Sequence, residues 1–297
     1  MGARRSPTAW VAGFRAYRAL NILRLFEQEQ IFDFKLFMSY LSNITPLILT
    51  YNEAPNIART LAALDWAERI VVIDSFSSDE TLDILRAHPR VEVFQRVFDT
   101  HGQQWNYGLA QVQTPWVLSL DADYVLSPAL VAELASWQPD AITMGYYLPF
   151  KYCVFGKPLR GTILPPRQAL FARAQARYVD DGHTQILVVD GQSGHFKHPI
   201  HHDDRKSLSR WLWAQDRYAQ LELAKFAASD QRFSRFNDWV RKQVVLAPFV
   251  VFFYCLILKG GILDGWRGWY YAFQRMLAEL LLALHLLEEK GKVKSEK

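Results

Sequence analysis

From Ile44 to about Asp123 the chain alternates short apolar runs with stretches whose apolar residues recur at helical spacing. That is the pattern of strands joined by crossover helices in a mostly parallel sheet. The first predicted strand, Ile44 to Thr50, ends in Tyr51-Asn52-Glu53. A helix over about Ala54 to Leu64 follows, with Pro55 tolerated in its first turn. The second strand, Arg69 to Asp74, runs into Ser75-Phe76-Ser77-Ser78-Asp79-Glu80-Thr81, where the serines and Asp79 suit a helix start. A third strand, Val91 to Phe94, leads through a loop with Gly102 to a helix ending near Val112. The fourth, Trp116 to Leu120, opens directly onto Asp121. Polar residues therefore gather at the strand ends, where open α/β sheets bind ligands.

Beyond Ser127 the pattern is less regular, with strands expected around Ala141 to Leu148, Gln168 to Ala172 and Ile186 to Val189. Leu208 to about Ala228 is helical, and a boundary is expected near Asp230. Past it, Val244 to Leu258 is an unbroken apolar run flanked by Arg241, Lys242 and Lys259. A membrane span needs about 20 such residues. The run therefore suits an interfacial or re-entrant helix, with Trp266, Trp269, Tyr270 and Tyr271 as belt residues, or else a buried core helix or dimer interface. A second helix is predicted from about Trp269 to Leu287. The N-terminal stretch Phe14 to Leu41 is amphipathic as well, and is expected to pack on the C-terminal helices. Three segments result: 1–43, an amphipathic arm; 44–230, an α/β domain; and 231–297, apolar membrane-associating helices.

Composition narrows the function classes. With 297 residues, half of them hydrophobic, the chain can bury a large core. A formal charge of +4 is too small to point to a nucleic-acid partner. The two cysteines, Cys153 and Cys255, form neither a disulfide framework nor a metal-binding pair at short spacing. Arginines interrupt the N-terminal region, so no secretory signal is expected.

The chemistry concentrates at a few positions. Asp121 and Asp123, spaced i, i+2 after a buried strand, are suited to sharing a divalent cation such as Mg²⁺ or Mn²⁺. Asp180-Asp181-Gly182-His183 follows a strand-like segment and offers a general base, Asp181 in preference to Asp180, with His183 as rival or orienting group. An acidic β-turn is the plain alternative. His195, His198, His201, His202, Asp203 and Asp204 are the densest imidazole and carboxylate cluster, but they lack both cysteines and the helical i, i+4 spacing of common zinc sites.

Taken together, Thr50-Tyr51-Asn52-Glu53, Val72-Ile73-Asp74-Ser75 with Ser78-Asp79-Glu80-Thr81, and Leu118-Ser119-Leu120-Asp121-Ala122-Asp123 resemble, in order and spacing, the family-2 inverting glycosyltransferases of GT-A fold. The resemblance covers roughly Ile44 to Arg217. The His202-Asp203-Asp204-Arg205-Lys206-Ser207 run is similar to relatives acting on lipopolysaccharide or lipid-linked glycans. The resemblance implies a GT-A-like (Rossmann-like), mostly parallel sheet flanked by helices, and sugar transfer from a nucleotide-sugar donor to a lipid-linked or envelope-glycan hydroxyl at a cytoplasmic membrane face. It implies nucleotide contacts at Thr50, Asn52, Glu53, Asp74, Asp79 and Asp121, and a base at the Asp181 position. His202 would complete the metal coordination or touch a phosphate, while Arg205 and Lys206 would bind the diphosphate or an anionic acceptor. The basic residue that the family commonly carries before its metal motif is missing from Gly102-Gln103-Gln104-Trp105-Asn106, leaving Gln104 and Asn106 as polar substitutes. A catalytically silent membrane scaffold of the same fold, or a nucleotidyltransferase, are the competing readings; no glycine-rich phosphate loop supports the latter.

Overall fold

A computed structural model describes residues 40–181, 184–228 and 246–295 of the chain. The expectations for the N-terminal arm up to residue 39, for His183 and for the start of the apolar run at 244 and 245 lie outside the described residues.

The centre is a seven-stranded sheet in the order β12-β6-β9-β4-β1-β2-β3. Its strands are β1 (Ile44–Thr50), β2 (Ile70–Asp74), β3 (Val91–Gln95), β4 (Trp116–Asp121), β6 (Thr143–Leu148), β9 (Arg167–Ala172) and β12 (Gln192–His195). β1 to β4 pair in parallel, as expected, whereas β9 runs antiparallel between β4 and β6. β5 (Tyr124–Leu126), β13 (Ile200–His202), β7 (Phe150–Val154) and β8 (Lys157–Pro158) form a second sheet in the order β5-β13-β7-β8. β10 (Ala176–Asp181) and β11 (Thr184–Val189) make an antiparallel pair.

Alternation along the strands explains the two core layers, because successive side chains leave a strand on opposite faces. Ile48, Val72, Leu118 and Leu120 pack on one face with α1 (Ile57–Ala62) and α2 (Thr81–Ala87). Leu47, Val71, Ile73 and Val117 pack on the other with Trp105 and Leu109 of α3 (His101–Gln111). A strand buried on both faces reads as a continuous apolar run, as Ile70-Val71-Val72-Ile73 does.

Helix α1 begins three residues later than its sequence pattern indicates. The reason is local: the backbone N–H groups of Asn56 and Ile57 both donate to Glu53 O, so residues 53–56 form a turn first. After α4 (Pro128–Ser136) and α5 (Leu208–Ala228), the apolar run forms α6 (Ala247–Phe253) and continues as a π-helical turn, Tyr254–Leu258. The chain reverses through Gly260, at φ 74°, and a 3₁₀ turn, Gly261–Asp264, into α7 (Trp266–Ser295). α7 extends beyond both predicted ends. It packs against α5 and α6, with His285 Nε2 2.7 Å from Asp216 Oδ1.

Candidate active site

The carboxyl ends of the four parallel strands lie level. Thr50 stands opposite Asp74, Asp74 opposite Gln95, and Leu49 opposite Asp121. Register alone thus brings residues scattered over seventy positions to one edge.

At the end of β4 the Asp121-Ala122-Asp123 turn is fixed through its backbone. Thr60 Oγ1 donates to Ala122 O at 2.7 Å, and Asp203 N donates to Asp123 O at 3.0 Å. Ala122 is buried in the core, and each flanking carboxylate meets a basic side chain. Arg167 Nη1 lies 3.2 Å from Asp121 Oδ2 and also donates to the Tyr124 hydroxyl. Burial favours a neutral Asp121, but Arg167, Tyr124 and His202 outweigh it and hold the carboxyl below the usual carboxylate range.

His202 Nε2 lies 3.0 Å from Asp123 Oδ2. The sequence placed His202 in an extended segment, and β13 shows why it arrives here: the residue stands opposite Tyr124 of β5 on one side and Tyr152 of β7 on the other. Both tyrosine rings meet its imidazole edge-on, at 5.3 and 5.1 Å between centroids. Burial works against the imidazolium, but Asp123 prevails and raises the His202 pKa.

Two carboxylates and one imidazole suit a hard or borderline divalent cation. Asp123 and His202 already converge on one point, which Asp121 flanks. Among the described residues no three acidic, histidine or cysteine groups enclose an ion by themselves. The donor set therefore fits a cation that takes its remaining ligands from bound phosphate and water, as Mg²⁺ commonly does.

The nucleotide-facing expectations divide. Asp74 is fully buried: Thr50 Oγ1, Ser77 Oγ, Ser77 N and Gln95 Nε2 all donate to its carboxylate. Asp79 accepts from Thr81 N and Thr81 Oγ1 at the start of α2, and from Ala54 N. Both therefore shape the edge. Asn52 holds a left-handed φ of 56° and accepts from Ser78 N, tying the first loop to the second. Phe76, at φ 59°, is half-exposed beside them. For a residue with a Cβ that conformation costs on the order of 1–2 kcal/mol.

Gln104, expected to face a ligand, is instead enclosed, with Arg96 Nη1 donating to its Oε1 at 2.7 Å and its amide reaching Ser75. Asn106 exchanges hydrogen bonds with the backbone of Tyr178. Two arginines reach this edge from elsewhere, Arg96 just after β3 and Arg167 on β9. No local spacing in the sequence pointed to either.

The segment 203–206 is clipped to the first loop. Asn56, wholly buried, uses all four hydrogen-bonding positions of its amide: Nδ2 donates to Glu53 Oε2 and Asp204 Oδ1, and Oδ1 accepts from Arg59 Nη2 and Arg205 N. Lys206 Nζ meets Glu53 Oε1 at 2.5 Å. Burial would lower the Lys206 pKa, but Glu53 outweighs it and keeps the ammonium charged. Arg205, expected on a phosphate, grips Asp203 through two bonds of 2.9 Å.

A cavity of about 230 Å³ opens beside Asp121, lined by Tyr124, Arg167, Gln168, Tyr178 and Gln185 among others. Asp180 is committed to the α3 start, accepting from Thr100 Oγ1 and Gly102 N. Asp181 ends β10, paired in register with Thr184. Burial raises the pKa of Tyr218 of α5, and the charges of Asp121 and Asp123 add to that rise.

The sequence pattern described as Glycosyl transferase family 2 matches residues 47–184. Among curated proteins none matches significantly. Of solved structures, residues 1–349 of Staphylococcus aureus TarS are 14% identical, with 83% of this chain and 91% of that chain covered at a TM-score of 0.44. Glucosyl-3-phosphoglycerate synthase from Mycobacterium tuberculosis, in complex with Mn²⁺, UDP and phosphoglyceric acid, is 16% identical, with 63% and 80% covered at a TM-score of 0.41. At TM-scores below 0.5 these likenesses are weak, and the family match carries the assignment. Residues 47–184 hold the strand-end residues from Thr50 to Asp181, and through this glycosyl transferase family 2 region the protein is a glycosyltransferase.

Proposed function

We propose that the protein transfers a sugar, with inversion, from a nucleotide-sugar donor to a hydroxyl of a lipid-linked or envelope-glycan acceptor. The observation that carries this reading is the pairing at the end of β4, where Asp121 lines a cavity and is bound by Arg167 while Asp123, two residues on, is bound by His202.

In this reading the nucleoside lies along the ends of β1 and β2, where Thr50, Asn52, Glu53, Asp74 and Asp79 shape the edge and the half-exposed Phe76 offers its ring to the base. The diphosphate lies against Asp121 and Asp123. A divalent cation held by Asp123, His202 and Asp121 would supply charge neutralisation for the leaving nucleoside diphosphate. Arg167 and Tyr124 keep Asp121 ionised and oriented, and Lys206 adds a positive charge on the same side. The donor sugar occupies the cavity, where Arg167, Gln168 and Gln185 provide hydrogen-bonding groups and Tyr147 and Phe150 apolar faces.

The base is assigned to Asp181. Asp180, its rival, is spent on Thr100 and Gly102. As the acceptor oxygen attacks the anomeric carbon opposite the diphosphate, its proton passes to Asp181 and the bond from the anomeric carbon to the phosphate oxygen breaks. Inversion follows from that single displacement. A screen of nucleotide sugars, following nucleoside diphosphate release with and without Mn²⁺ or Mg²⁺, tests the reading. Release should depend on the metal and be lost in Asp123→Ala; equal turnover by that variant without metal would refute it.

A further inference from the structure

α6 is apolar all round yet lies on the surface. Ala247 and Pro248 are buried, while the opposite side exposes Phe249, Val250 and Phe253. A helix of that character normally has protein or lipid on every side. The exposure increases toward the tip, with Leu258 77% and Leu263 68% accessible. The patch is continuous with the start of α7, because Phe252 meets both Phe253 and Phe273, each at 5.2 Å between centroids, and Phe273 meets Trp269.

The charges around this patch identify its partner. Between residues 246 and 274 the only charged side chains are Lys259, Asp264 and Arg267. Asp264 is buried, accepting from Arg160 N and pairing with the Arg160 guanidinium. The cations remain at the rim, Lys259 over the Tyr254 ring and Arg267 over the Trp266 ring. Against a second copy of the same face, like charges would meet. Against anionic lipid they are complementary, and cation-flanked aromatics are the composition of an interfacial anchor. No described helix is long and apolar enough to cross a membrane.

We infer that the tip formed by the π turn, the 3₁₀ turn and the first turns of α6 and α7 inserts into the headgroup region of an anionic lipid surface. The tip is rigidly joined to the sugar-transfer centre. A Cβ on Gly268 would lie 1.8 Å from Gly261 O, and one on Gly161 2.8 Å from Gly261 Cα, so the tip turn packs backbone to backbone on α7 and on the segment after β8. Tyr152, whose ring contacts His202, also contacts Tyr271 of α7 at 4.9 Å. The β7–β8 turn, with Phe155 and Gly156 both at positive φ, sets Phe155 against Trp266 and Tyr270. Two aromatic contacts thus separate the metal-ligating end of the site from the lipid-binding helices. A bilayer held there would present its headgroups beside the active site, which deepens the acceptor class proposed above; lipid binding itself does not depend on that reading.

The test is flotation of the full chain with phosphatidylcholine vesicles, with and without phosphatidylglycerol, at low and high salt. The wild type should float with the anionic vesicles and less so at high salt or on neutral ones. The pair Leu258→Glu with Leu263→Glu should lower partitioning about tenfold or more, whereas Ile142→Glu, at an exposed apolar position elsewhere, should not. Quenching of tryptophan fluorescence by brominated lipid, stronger in the wild type than in Trp266→Phe, gives a readout that no charge insertion disturbs. Absence of flotation, equal flotation by the double variant, or a wild-type dimer in light scattering that the double variant disperses, would each overturn the inference. Metal-dependent nucleoside diphosphate release from donor alone should be the same in the double variant, so failure of the donor chemistry and failure of lipid binding are read separately.

Discussion

His202 Nε2 lies 3.0 Å from Asp123 Oδ2, and the imidazole is held between the rings of Tyr124 and Tyr152. Seventy-nine positions separate the two residues along the chain. The contact exists because β13 pairs with β5 and β7 at this register. If His202 is a metal ligand, His202→Ala should weaken Mn²⁺ binding by on the order of 10–100-fold, measured by titration calorimetry in the presence of nucleoside diphosphate. Unchanged affinity would reduce His202 to a packing partner of Asp123.

Arg167 is expected to act through Asp121. Arg167→Ala removes the cation that outweighs burial, so the Asp121 pKa should rise from its lowered position and activity should decline more steeply on acidification than in the wild type. The kcat should drop by on the order of 10²-fold or more. A pH–rate profile of unchanged shape would count against the clamp.

Adjacent aspartates should behave differently. Asp181→Asn should lower kcat while leaving donor binding near the wild-type level, as removal of a general base does. Asp180→Asn weakens the bonds to Thr100 Oγ1 and Gly102 N, so its main effect should be on stability, about 1–2 kcal/mol, with a smaller loss of kcat. Denaturant melts and saturation kinetics on both variants distinguish the roles, and the reverse pattern would move the base to Asp180.

Asn56 saturates its amide with four partners in a buried site. Asn56→Ala should therefore cost about 2–4 kcal/mol, since several buried polar groups lose their bonds together. The denaturation midpoint checks this. A loss below about 0.5 kcal/mol would show that water replaces the amide at little cost.

Glu133 of α4 accepts from the backbone N–H groups of Lys197 and His198, and its Oε2 is 2.9 Å from the His198 ring. Burial opposes ionisation, but these bonds outweigh it and lower its pKa. A carboxyl with a lowered folded-state pKa stabilises above its unfolded value, near 4.3, and that contribution is lost as pH falls through the folded value. Glu133→Gln should thus be less stable than the wild type near neutrality, by on the order of 1 kcal/mol, and match it in strong acid. A constant difference across the range would exclude this linkage.

Much of the fold is legible in the chain because β1, β2 and β4 are short apolar runs whose burial does not depend on which partner supplies it, and because Thr50, Asp74 and Asp121 end those runs. The Asp121-Ala122-Asp123 pair and the extended 200–202 segment follow from the same local pattern, since period-two alternation and strand ends are properties of sequence neighbours. The partners of these residues are not. That Asp74 is buried under four donors, that Gln104 faces Arg96, that Arg167 meets Asp121, and that Asn56 ties 203–206 to the first loop all depend on register between distant strands and on loop closure, which no local spacing encodes. Likewise, the sequence by itself determined that 244–258 is apolar and flanked by cations. Only the tertiary structure decided which side of α6 is covered, because a helix apolar on every face carries no internal signal of the face its neighbour will take.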